Sequence, residues 1–454
     1  MLAQLADQAD QAWRAGDTAA AIEAADRVLA AGTDPNRLAA GVAAAASAAD
    51  GALFDAATRW RDIATSSTGA AAALAGGRAA LAAALVGDLD AAERDLGTAR
   101  QVTGPAPRGL TVLLDGVTAV LGAVRGDFAA AARKLSGLTA ASVPADPLAA
   151  ERWDNLAMAV LAAGEDDETA RALFGSTSPR RLLVNAWLDL RAGRLADARA
   201  GVVAASASPV LRRDAVLAAA VSVGLARRAG DRNALRTTWH RVAPVVMGAD
   251  VEILQLDAWG ELAAAAEPID REMIVAGMTA AVARAGNPRW AVATLAWWAL
   301  QRATTADEAR AAAVTLPDTP RGRAGRVWAA VLTGDVDPAA VREAAAALAD
   351  RPWEAAVLCG AAAARVTDPE TVKRLLGRGR ALRATVTAEQ TTAGLLSKRE
   401  RSVGELLLDG LTHKEIGAKL YISPKTVEQH VARIRQKLPA TNRAELIAAL
   451  RQAL

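Results

Sequence analysis

One short stretch near the C-terminal end of the chain carries side chains that could recognise another polymer. Residues 423–438 read SPKTVEQHVARIRQKL. At about 100° per residue on a helix, the apolar side chains share one face, formed by Val427, Val431, Ile434 and Leu438. The opposite face has long polar side chains around a small one, namely Lys425, Gln429, Ala432 and Gln436, with Arg433 beside them. Such groups can hydrogen-bond to base edges and phosphates, although most charged helix faces are only solvated.

Helix-start signals divide the surrounding segment into short elements. Two pairs have the capping-box spacing, Ser397 with Glu400 and Thr412 with Glu415, and Asn442 with Glu445 repeats it. Ser423 before Pro424 is an N-cap followed by proline at the first helical position. Gly410 is placed to end the first helix. The expected helices cover residues 398–409, 413–420, 424–437 and 443–452.

The connection between the second and third of these helices is very short. Only Tyr421, Ile422 and the Ser423 cap join them. The apolar face of the third helix is expected to pack against Leu406, Ile416 and Leu420. This arrangement is typical of a helix-turn-helix, in which the second member enters the major groove of DNA.

Segment 395–454 closely resembles the C-terminal DNA-binding domain of LuxR/NarL-type bacterial transcription regulators. The resemblance is carried by residues 396–401, 410–411, 414–416, 422–427, His430 and 442–443. Sigma-factor DNA-binding regions share the architecture but usually lack this combination, and a purely structural helical hairpin is the remaining alternative. The resemblance implies a sequence-specific transcription regulator that binds double-stranded DNA.

The resemblance also implies a role for individual positions. Lys425 and Thr426 would hold phosphates, and Lys414 belongs to the same DNA-contacting set. Glu428, Gln429 and Ala432 match base-facing positions, with Arg433 beside them, and His430 would anchor the helix or reach a phosphate. By groove chemistry, Gln429 suits adenine, Glu428 accepts from cytosine, and Ala432 contacts a thymine methyl. The last helix would mediate dimerisation over two half-sites through Ala444, Ile447, Ala448 and Arg451.

Three positions depart from the family pattern. Glu428 replaces a residue that is more often basic, which should weaken phosphate attraction and sharpen discrimination. Gly417 replaces the usual alanine, at a cost of up to about 1 kcal/mol in helix stability. Pro439 stands where the family usually has glycine, which stiffens the turn after the recognition helix.

Charge and composition also separate the last segment from the rest. Residues 395–454 have 5 Lys and 6 Arg against 6 acids, a net charge of +5, whereas residues 1–394 have 42 bases and 44 acids, a net charge of −2. All 11 Trp lie before residue 395. A basic module attached to a near-neutral body is typical of a nucleic-acid-binding protein.

The body repeats one short phrase along its length. The phrase begins with a Gly that is followed directly by Asp or another polar residue, except at Gly51, and small residues come soon after. Its copies begin at Gly16, Gly51, Gly87, Gly126, Gly164, Gly193 and Gly230, with a fainter copy at Gly334. The first seven are spaced by 29 to 39 residues. Glycine can end one helix in the left-handed conformation, and the next Asp can cap the following helix. Such periods are typical of stacked helical hairpins that share a core and expose a concave surface.

This phrase resembles that of tetratricopeptide-type repeats, although residues 235–330 have no clear copy. With 52% hydrophobic residues, abundant alanine and no alternating strand pattern, the predicted fold is all-α. We expect a tetratricopeptide-like α-solenoid over residues 1–371, a basic linker over 372–394 and a LuxR-type helix-turn-helix domain over 395–454. The solenoid is similar to the helical part of large ATP-dependent LuxR-type regulators, and whether a nucleotide-binding part belongs to this protein stays open.

Several classes of protein lack support in the sequence. There is no P-loop, G-x-S-x-G elbow or H-E-x-x-H pair, so we expect no enzyme, catalytic residue or cofactor. One Cys and three His exclude a disulfide and an ordinary zinc site. No apolar run suits a membrane span or signal peptide, which predicts a cytoplasmic protein. His240, the Trp297–Trp298 pair and Cys359 are expected to be structural, the last two in the core.

The predicted function is therefore regulation of transcription, with a body that senses a small ligand or a partner protein. The expected partners are double-stranded DNA and a second copy of the chain on DNA, with RNA polymerase as a further candidate and no membrane. The alternative is a helical-repeat scaffold for other proteins that is tethered to DNA by its C-terminal module.

Overall fold

The computed structural model describes residues 2–31, 37–101, 107–139, 148–149, 151–173, 178–207, 211–393, 398–420, 422–437, 445–447 and 450. The described residues form helices and no β-strand, which confirms the all-α prediction. The first twelve helices are α1 (Leu2–Ala15), α2 (Thr18–Ala30), α3 (Leu38–Ala49), α4 (Leu53–Thr65), α5 (Gly69–Leu85), α6 (Leu89–Ala99), α7 (Arg108–Arg125), α8 (Phe128–Thr139), α9 (Trp153–Ala163), α10 (Asp167–Ala172), α11 (Pro179–Arg191) and α12 (Leu195–Ala205).

The second half continues in the same way, with one short 3-10 turn at Ile253–Gln255. Its helices are α13 (Arg212–Ala229), α14 (Arg232–Val246), α15 (Leu256–Ala265), α16 (Pro268–Arg284), α17 (Arg289–Arg302), α18 (Ala306–Val314), α19 (Pro320–Thr333), α20 (Pro338–Ala347), α21 (Pro352–Ala363), α22 (Pro369–Ala393), α23 (Lys398–Leu408), α24 (His413–Leu420) and α25 (Pro424–Lys437). None of the described helices is both long and apolar enough to cross a membrane.

Through the body, consecutive helices pack as antiparallel hairpins, and alternate helices such as α5 with α7, α11 with α13 and α13 with α15 also contact each other. This is the stacked-hairpin architecture that the repeat predicts. Alanine dominates the buried positions, so the helix axes approach closely, and leucines and tryptophans fill the remaining space.

The repeated phrase forms the turns inside these hairpins. Seven of its eight glycines have positive φ, between +73° and +109°. Asp17 and Asp88 each accept a hydrogen bond from the backbone N–H three residues later, at 3.0 and 3.1 Å. Gly164 is the exception, because Glu165 takes the left-handed conformation instead, with φ +61°, and a Cβ on Gly164 would lie 2.8 Å from Phe128.

The turns have a second role that their spacing does not reveal, because several of them contact distant helices. The carbonyl of Gly51 accepts from the N–H of Asp250 at 2.9 Å. Arg284 donates to the carbonyl of Val86 at 3.0 Å, and the indole of Trp290 donates to that of Val124 at 2.8 Å. The helical array therefore coils back on itself, and the hairpin turns dock one part of the coil on another.

Alanine substitutions at two of these glycines separate the destabilisation caused by backbone strain from that caused by lost docking. Gly87 has φ +79°, and a Cβ would lie 2.6 Å from the carbonyl oxygen of Ala281, whereas Gly230 has φ +73° with no atom within 4 Å of the added Cβ. In both alanine variants the free energy of unfolding falls by about 1–2 kcal/mol, because alanine is strained in the left-handed backbone conformation. We expect Gly87→Ala to lose about 1–3 kcal/mol more through overpacking. Thermal unfolding followed by circular dichroism compares the two variants, and equal losses would contradict the docking role.

Residues 235–330 continue the hairpins although they have no clear copy of the phrase. The turn after α16 contains Gly286 and Asn287, which both have positive φ. Helix α18 begins instead with a capping box between Thr305 and Glu308, and α19 with the cap Thr319. The helices are present and only the start and stop signals differ, which is why the period fades in the sequence.

Residues 372–393 of the segment predicted as a basic linker are helical, and residue 394 lies outside the described part. The helical residues belong to α22, which packs against α21 and buries Leu375 and Val386. Its five bases are exposed, namely Lys373, Arg374, Arg378, Arg380 and Arg383. The first part of this segment is therefore a packed helix and not a flexible connector, because the apolar side chains between the bases hold it on the body. The division of the chain at residues 371 and 394 stays a prediction.

Three acids around α15 tie distant helices together. Glu252 binds Arg213 at 2.6 Å and Arg180 at 3.2 Å. Asp257 binds Arg321 at 3.0 Å. The same acid also binds Arg191 at 3.4 Å and Arg351 at 3.3 Å. Glu261, fully buried, binds Arg227 at 2.6 Å and Arg228 at 3.1 Å. These arginines come from α11, α13 and α19 and from the residue before α21, so the ion pairs fix how the coil closes.

The predicted core residues of the body are confirmed. Trp297 and Trp298 are almost fully buried, and Trp297 meets Trp328 edge to face with ring centroids 5.9 Å apart. Cys359 is buried, and burial raises the pKa of its thiol, which makes it less reactive. His240 is exposed, with Nε2 3.3 Å from a carboxylate oxygen of Glu267.

Candidate nucleic-acid interface

The three described helices of the C-terminal module share one small core. Buried side chains from α23, α24 and α25 meet there with two from the residues beyond α25, and they are Val403, Leu407, Ile416, Val427, Val431, Ile434, Leu446 and Leu450. Leu406 and Leu420 pack at its edge. The apolar stripe of α25 thus faces the core, as its spacing predicts. Leu438, the fourth member of that stripe, lies outside the described residues.

Local capping sets the ends of these helices. Glu415 accepts hydrogen bonds from the N–H and hydroxyl of Thr412 at 2.8 and 2.7 Å, and the N–H of Glu415 donates to that hydroxyl at 3.4 Å. These bonds, the backbone one first, lower the pKa of Glu415. Gly410 ends α23 with φ +83°. The capping box is confirmed, whereas Ser397 and Asn442 lie outside the described residues.

The turn between α24 and α25 is tight. The N–H of Ile422 donates to the carbonyl of Gly417 at 2.9 Å, and the N–H of Thr426 donates to the hydroxyl of Ser423 at 3.0 Å. A Cβ on Gly417 would lie 2.7 Å from the carbonyl oxygen of Ile422. The departure from alanine at this position therefore accompanies a very close approach between α24 and the turn.

The polar face of α25 is open to solvent. Five of the predicted DNA-contacting side chains on it are exposed, namely Lys425, Glu428, Gln429, Ala432 and Arg433. Lys414 is exposed on α24. Because α25 is held by its opposite side, this face can approach a groove without disturbing the core.

Two predicted contact residues are partly enclosed. Thr426 is half-buried, and its hydroxyl lies 2.7 Å from that of Ser423. His430 is half-buried too, and its Nδ1 is buried with no hydrogen-bond partner among the described residues. The ring therefore packs along the side of α25, and its role as an anchor of the helix or as a phosphate contact stays a prediction.

The dimerisation prediction falls mostly on residues that the structure does not describe. Ala444, Ala448 and Arg451 are outside the described part. Ile447 is half-buried and packs on the module core. The described residues 445–447 and 450 are helical, in agreement with a helix in this region.

One candidate contact was missed in the sequence. Arg435 is exposed and lies seven residues after Glu428, which places the two side chains on the same side of α25 two turns apart. The seven-residue spacing from Glu428 is the sequence signal that places Arg435 on this face. A guanidinium at this place adds positive charge to the end of the exposed face.

These observations define the class of the module. Two short helices joined by a tight turn, a third helix beneath them, and an exposed polar face on the second member together form a helix-turn-helix DNA-binding domain. The luxR family model for bacterial regulatory proteins (GerE) matches residues 394–450. The chain belongs to this luxR family, which confirms the resemblance of residues 395–454.

Relatives in this family are similar over the same segment. Spore germination protein GerE of Bacillus subtilis (strain 168) is 46% identical over 56 residues, which are 12% of this chain and 76% of GerE. Transcriptional regulatory protein UhpA of Escherichia coli (strain K12) is 51% identical over 51 residues, 11% of this chain and 26% of UhpA. Oxygen regulatory protein NreC of Staphylococcus carnosus (strain TM300) is 45% identical over 53 residues, 12% of this chain and 24% of NreC.

The crystal structure of the APC/C hetero-tetramer Cut9–Hcn1 aligns over 98% of this chain and 96% of that one, with a TM-score of 0.30 and 13% identity. This TM-score is too low to define a shared fold. The stacked-hairpin description of the body therefore depends on its own helix contacts.

Proposed function

We propose that the protein is a sequence-specific transcription regulator that places α25 in the major groove of double-stranded DNA. The observation that carries this proposal is the exposed polar face of α25 in a luxR-family helix-turn-helix. Gln429, Glu428 and Ala432 are its base-reading residues. Its place of action would be the cytoplasm, where bacterial DNA lies, and the character of the family favours a protein that is not an enzyme.

Phosphate contacts would set the position of the helix on DNA. Lys425 in the first turn of α25 and Lys414 in the first turn of α24 are both exposed, so both can reach the sugar-phosphate backbone on either side of the groove. Thr426 supports the same region through its contact with Ser423, and Arg433 and Arg435 extend the positive charge along α25. Glu428 reduces non-specific attraction because it repels phosphates.

Selection from a random duplex library with the full-length protein tests the proposal. We expect one enriched motif. A roughly palindromic motif would also support binding as a homodimer over two half-sites, with the helix around Ile447 as the dimer contact. Absence of enrichment both with the full chain and with residues 385–454 alone would contradict sequence-specific binding. Enrichment with the fragment alone would mean that the body masks the module.

Loss of one phosphate contact has a distinct signature. We expect Lys425→Ala to weaken binding to specific and unrelated duplexes by similar factors, because a phosphate contact has no sequence information. The slope of log affinity against log salt should become shallower by about 0.9, since one fewer counterion is released. Fluorescence anisotropy over a series of salt concentrations measures both. A loss confined to the specific duplex would contradict the phosphate role.

We further propose that the body receives the signal that controls DNA binding. One cavity of about 510 Å³ is lined by Trp60, Trp153 and Arg78 together with leucines such as Leu85 and Leu113, a volume in the range of small-ligand sites. A saturable change in tryptophan fluorescence would support a ligand. Stoichiometric co-purification of another protein would instead favour the scaffold alternative, and RNA polymerase is one partner to look for there.

A further inference from the structure

A second groove opens between α16, α17 and α18, in the part of the body where the repeated phrase is absent. Its volume is about 630 Å³. Helix α17 packs against both neighbours, whereas α16 and α18 do not pack closely on each other. Apolar side chains of α17, including Leu295 and Ala299, line the groove together with Val275 of α16 and Ala311 of α18.

Two guanidinium groups also line this groove. Arg271 donates to the carbonyls of Ala263 at 3.2 Å and Ala266 at 2.8 Å. Arg302 has no ion pair among the described residues, and its Nη1 is buried without a hydrogen-bond partner. Arg302 is the last residue of α17, but its guanidinium donates to none of the described carbonyls at this helix end, so capping does not explain it.

The acid that lines this groove already caps a helix and does not pair with either arginine. Glu308 is the only acid among the described residues that line the groove. Its carboxylate accepts from the N–H groups of Thr304 at 2.7 Å and Thr305 at 3.1 Å, and so caps α18. Neither Arg271 nor Arg302 forms an ion pair with it.

This pair of cations differs from the buried arginines around α15, which all face carboxylates. Removing a cation from water without a counter-charge is costly. Burial and, second, repulsion by Arg271 lower the pKa of Arg302 to about 10. The side chain is thus held in a place where an anion would stabilise it.

We propose that the groove between α16, α17 and α18 binds a small organic anion. Its carboxylate or phosphate would lie between Arg271 and Arg302, and its apolar part would lie on Leu295, Ala299 and Val275. A short-chain acid or an alkyl phosphate has this chemistry. The biological meaning of the site, as the place where a signal enters, rests on the proposed regulatory function, whereas binding itself can be measured without DNA.

Calorimetric titration of the full-length protein tests the site with four probes. Octanoate and octyl phosphate have an anionic head and an apolar chain, octanamide has the chain alone, and inorganic phosphate has the anion alone. We expect saturable one-to-one binding of octanoate or octyl phosphate, and binding at least tenfold weaker for octanamide and inorganic phosphate. Equal binding of octanamide, or of inorganic phosphate, or no saturable binding of either amphipathic anion, would overturn the proposal.

Variants locate the binding. Arg302→Gln should weaken the amphipathic anion at least tenfold, and Arg302→Lys should restore part of the affinity. The matched control is Arg310→Gln, an exposed arginine of α18 that pairs with Asp307 and does not line the groove. Ala311→Glu adds a carboxylate at an exposed position of the groove wall, so it should abolish binding without touching the core. Undiminished binding in both Arg302→Gln and Ala311→Glu would exclude this site.

DNA binding by the same preparations separates the two proposals. If the anion binds and neither the full chain nor residues 385–454 enriches a DNA motif, the groove stands and the regulatory function fails. If a motif is enriched but the anion does not bind, the groove proposal alone fails.

Discussion

Replacement of Gln429 by alanine is expected to blur the DNA motif at one position of each half-site. Gln429 is exposed at the centre of the polar face of α25, and a glutamine can bind both N6 and N7 of adenine. Loss of these two hydrogen bonds removes about 1–3 kcal/mol of discrimination against the other bases. Affinity for unrelated DNA should hardly change, because the phosphate contacts remain.

The measurement is competition between four duplexes that differ only at the affected base pair, for the parent protein and for Gln429→Ala. A matched control is Glu405→Ala, which removes an exposed side chain of α23 outside the recognition helix. Circular dichroism checks that both variants fold. Unchanged relative affinities in Gln429→Ala would mean that Gln429 does not read a base.

The largest effect on stability is expected from Glu252→Ala. Glu252 is 4% exposed and binds Arg213 through two hydrogen bonds of 2.6 and 2.7 Å, with Arg180 at 3.2 Å. Truncation leaves Arg213 with Glu151 at 3.0 Å and Arg180 with Asp214 at 2.8 Å. Two buried guanidinium groups thereby lose the acid that they share, which costs about 3–5 kcal/mol.

Urea unfolding followed by circular dichroism measures this loss as a lower transition midpoint. Glu272→Ala is the matched control, because Glu272 is exposed on α16 and should change stability by less than about 0.5 kcal/mol. Similar midpoints for the two variants would show that the ion pairs around Glu252 do not stabilise the coil.

The same cluster gives the body a defined acid response. Burial alone would raise the pKa of Glu252, but Arg213 and Arg180 outweigh it and lower the pKa to about 2 from an ordinary value of 4.5. Since the folded pKa is depressed, the stabilisation is present above pH 4.5 and is lost as the pH falls towards 2. Glu252→Gln should therefore lose less stability than the parent over this interval. The pKa of Asp257 is held well below its usual range by Arg351, Arg321 and Arg191, against the opposing effect of burial.

The relation between sequence and site differs between the two parts of the chain. In the C-terminal module the caps at Thr412 and Ser423, the end of α23 at Gly410 and the apolar face of α25 all follow from residues within a few positions of each other. Five exposed residues of α25, Lys425, Glu428, Gln429, Ala432 and Arg433, were therefore predicted from the sequence, whereas the predicted Thr426 and His430 are half-buried. Arg435 was left out although its spacing from Glu428 placed it on the same side.

In the body, the sequence by itself determined that hairpins repeat and that glycines turn them. It could not determine where the coil closes, because Gly87 and Gly230 share the same phrase and only Gly87 meets a distant helix. Likewise, Glu252, Asp257 and Glu261 look like ordinary surface acids until arginines from α11, α13 and α19 meet them. Capping and amphipathic patterns act between residues at most a few turns apart and are written in short stretches of sequence. The ion pairs join residues tens of positions apart, the docking turns join residues almost 200 positions apart, and the groove beside Arg302 depends on how three successive helices pack, so only the tertiary structure decides these features.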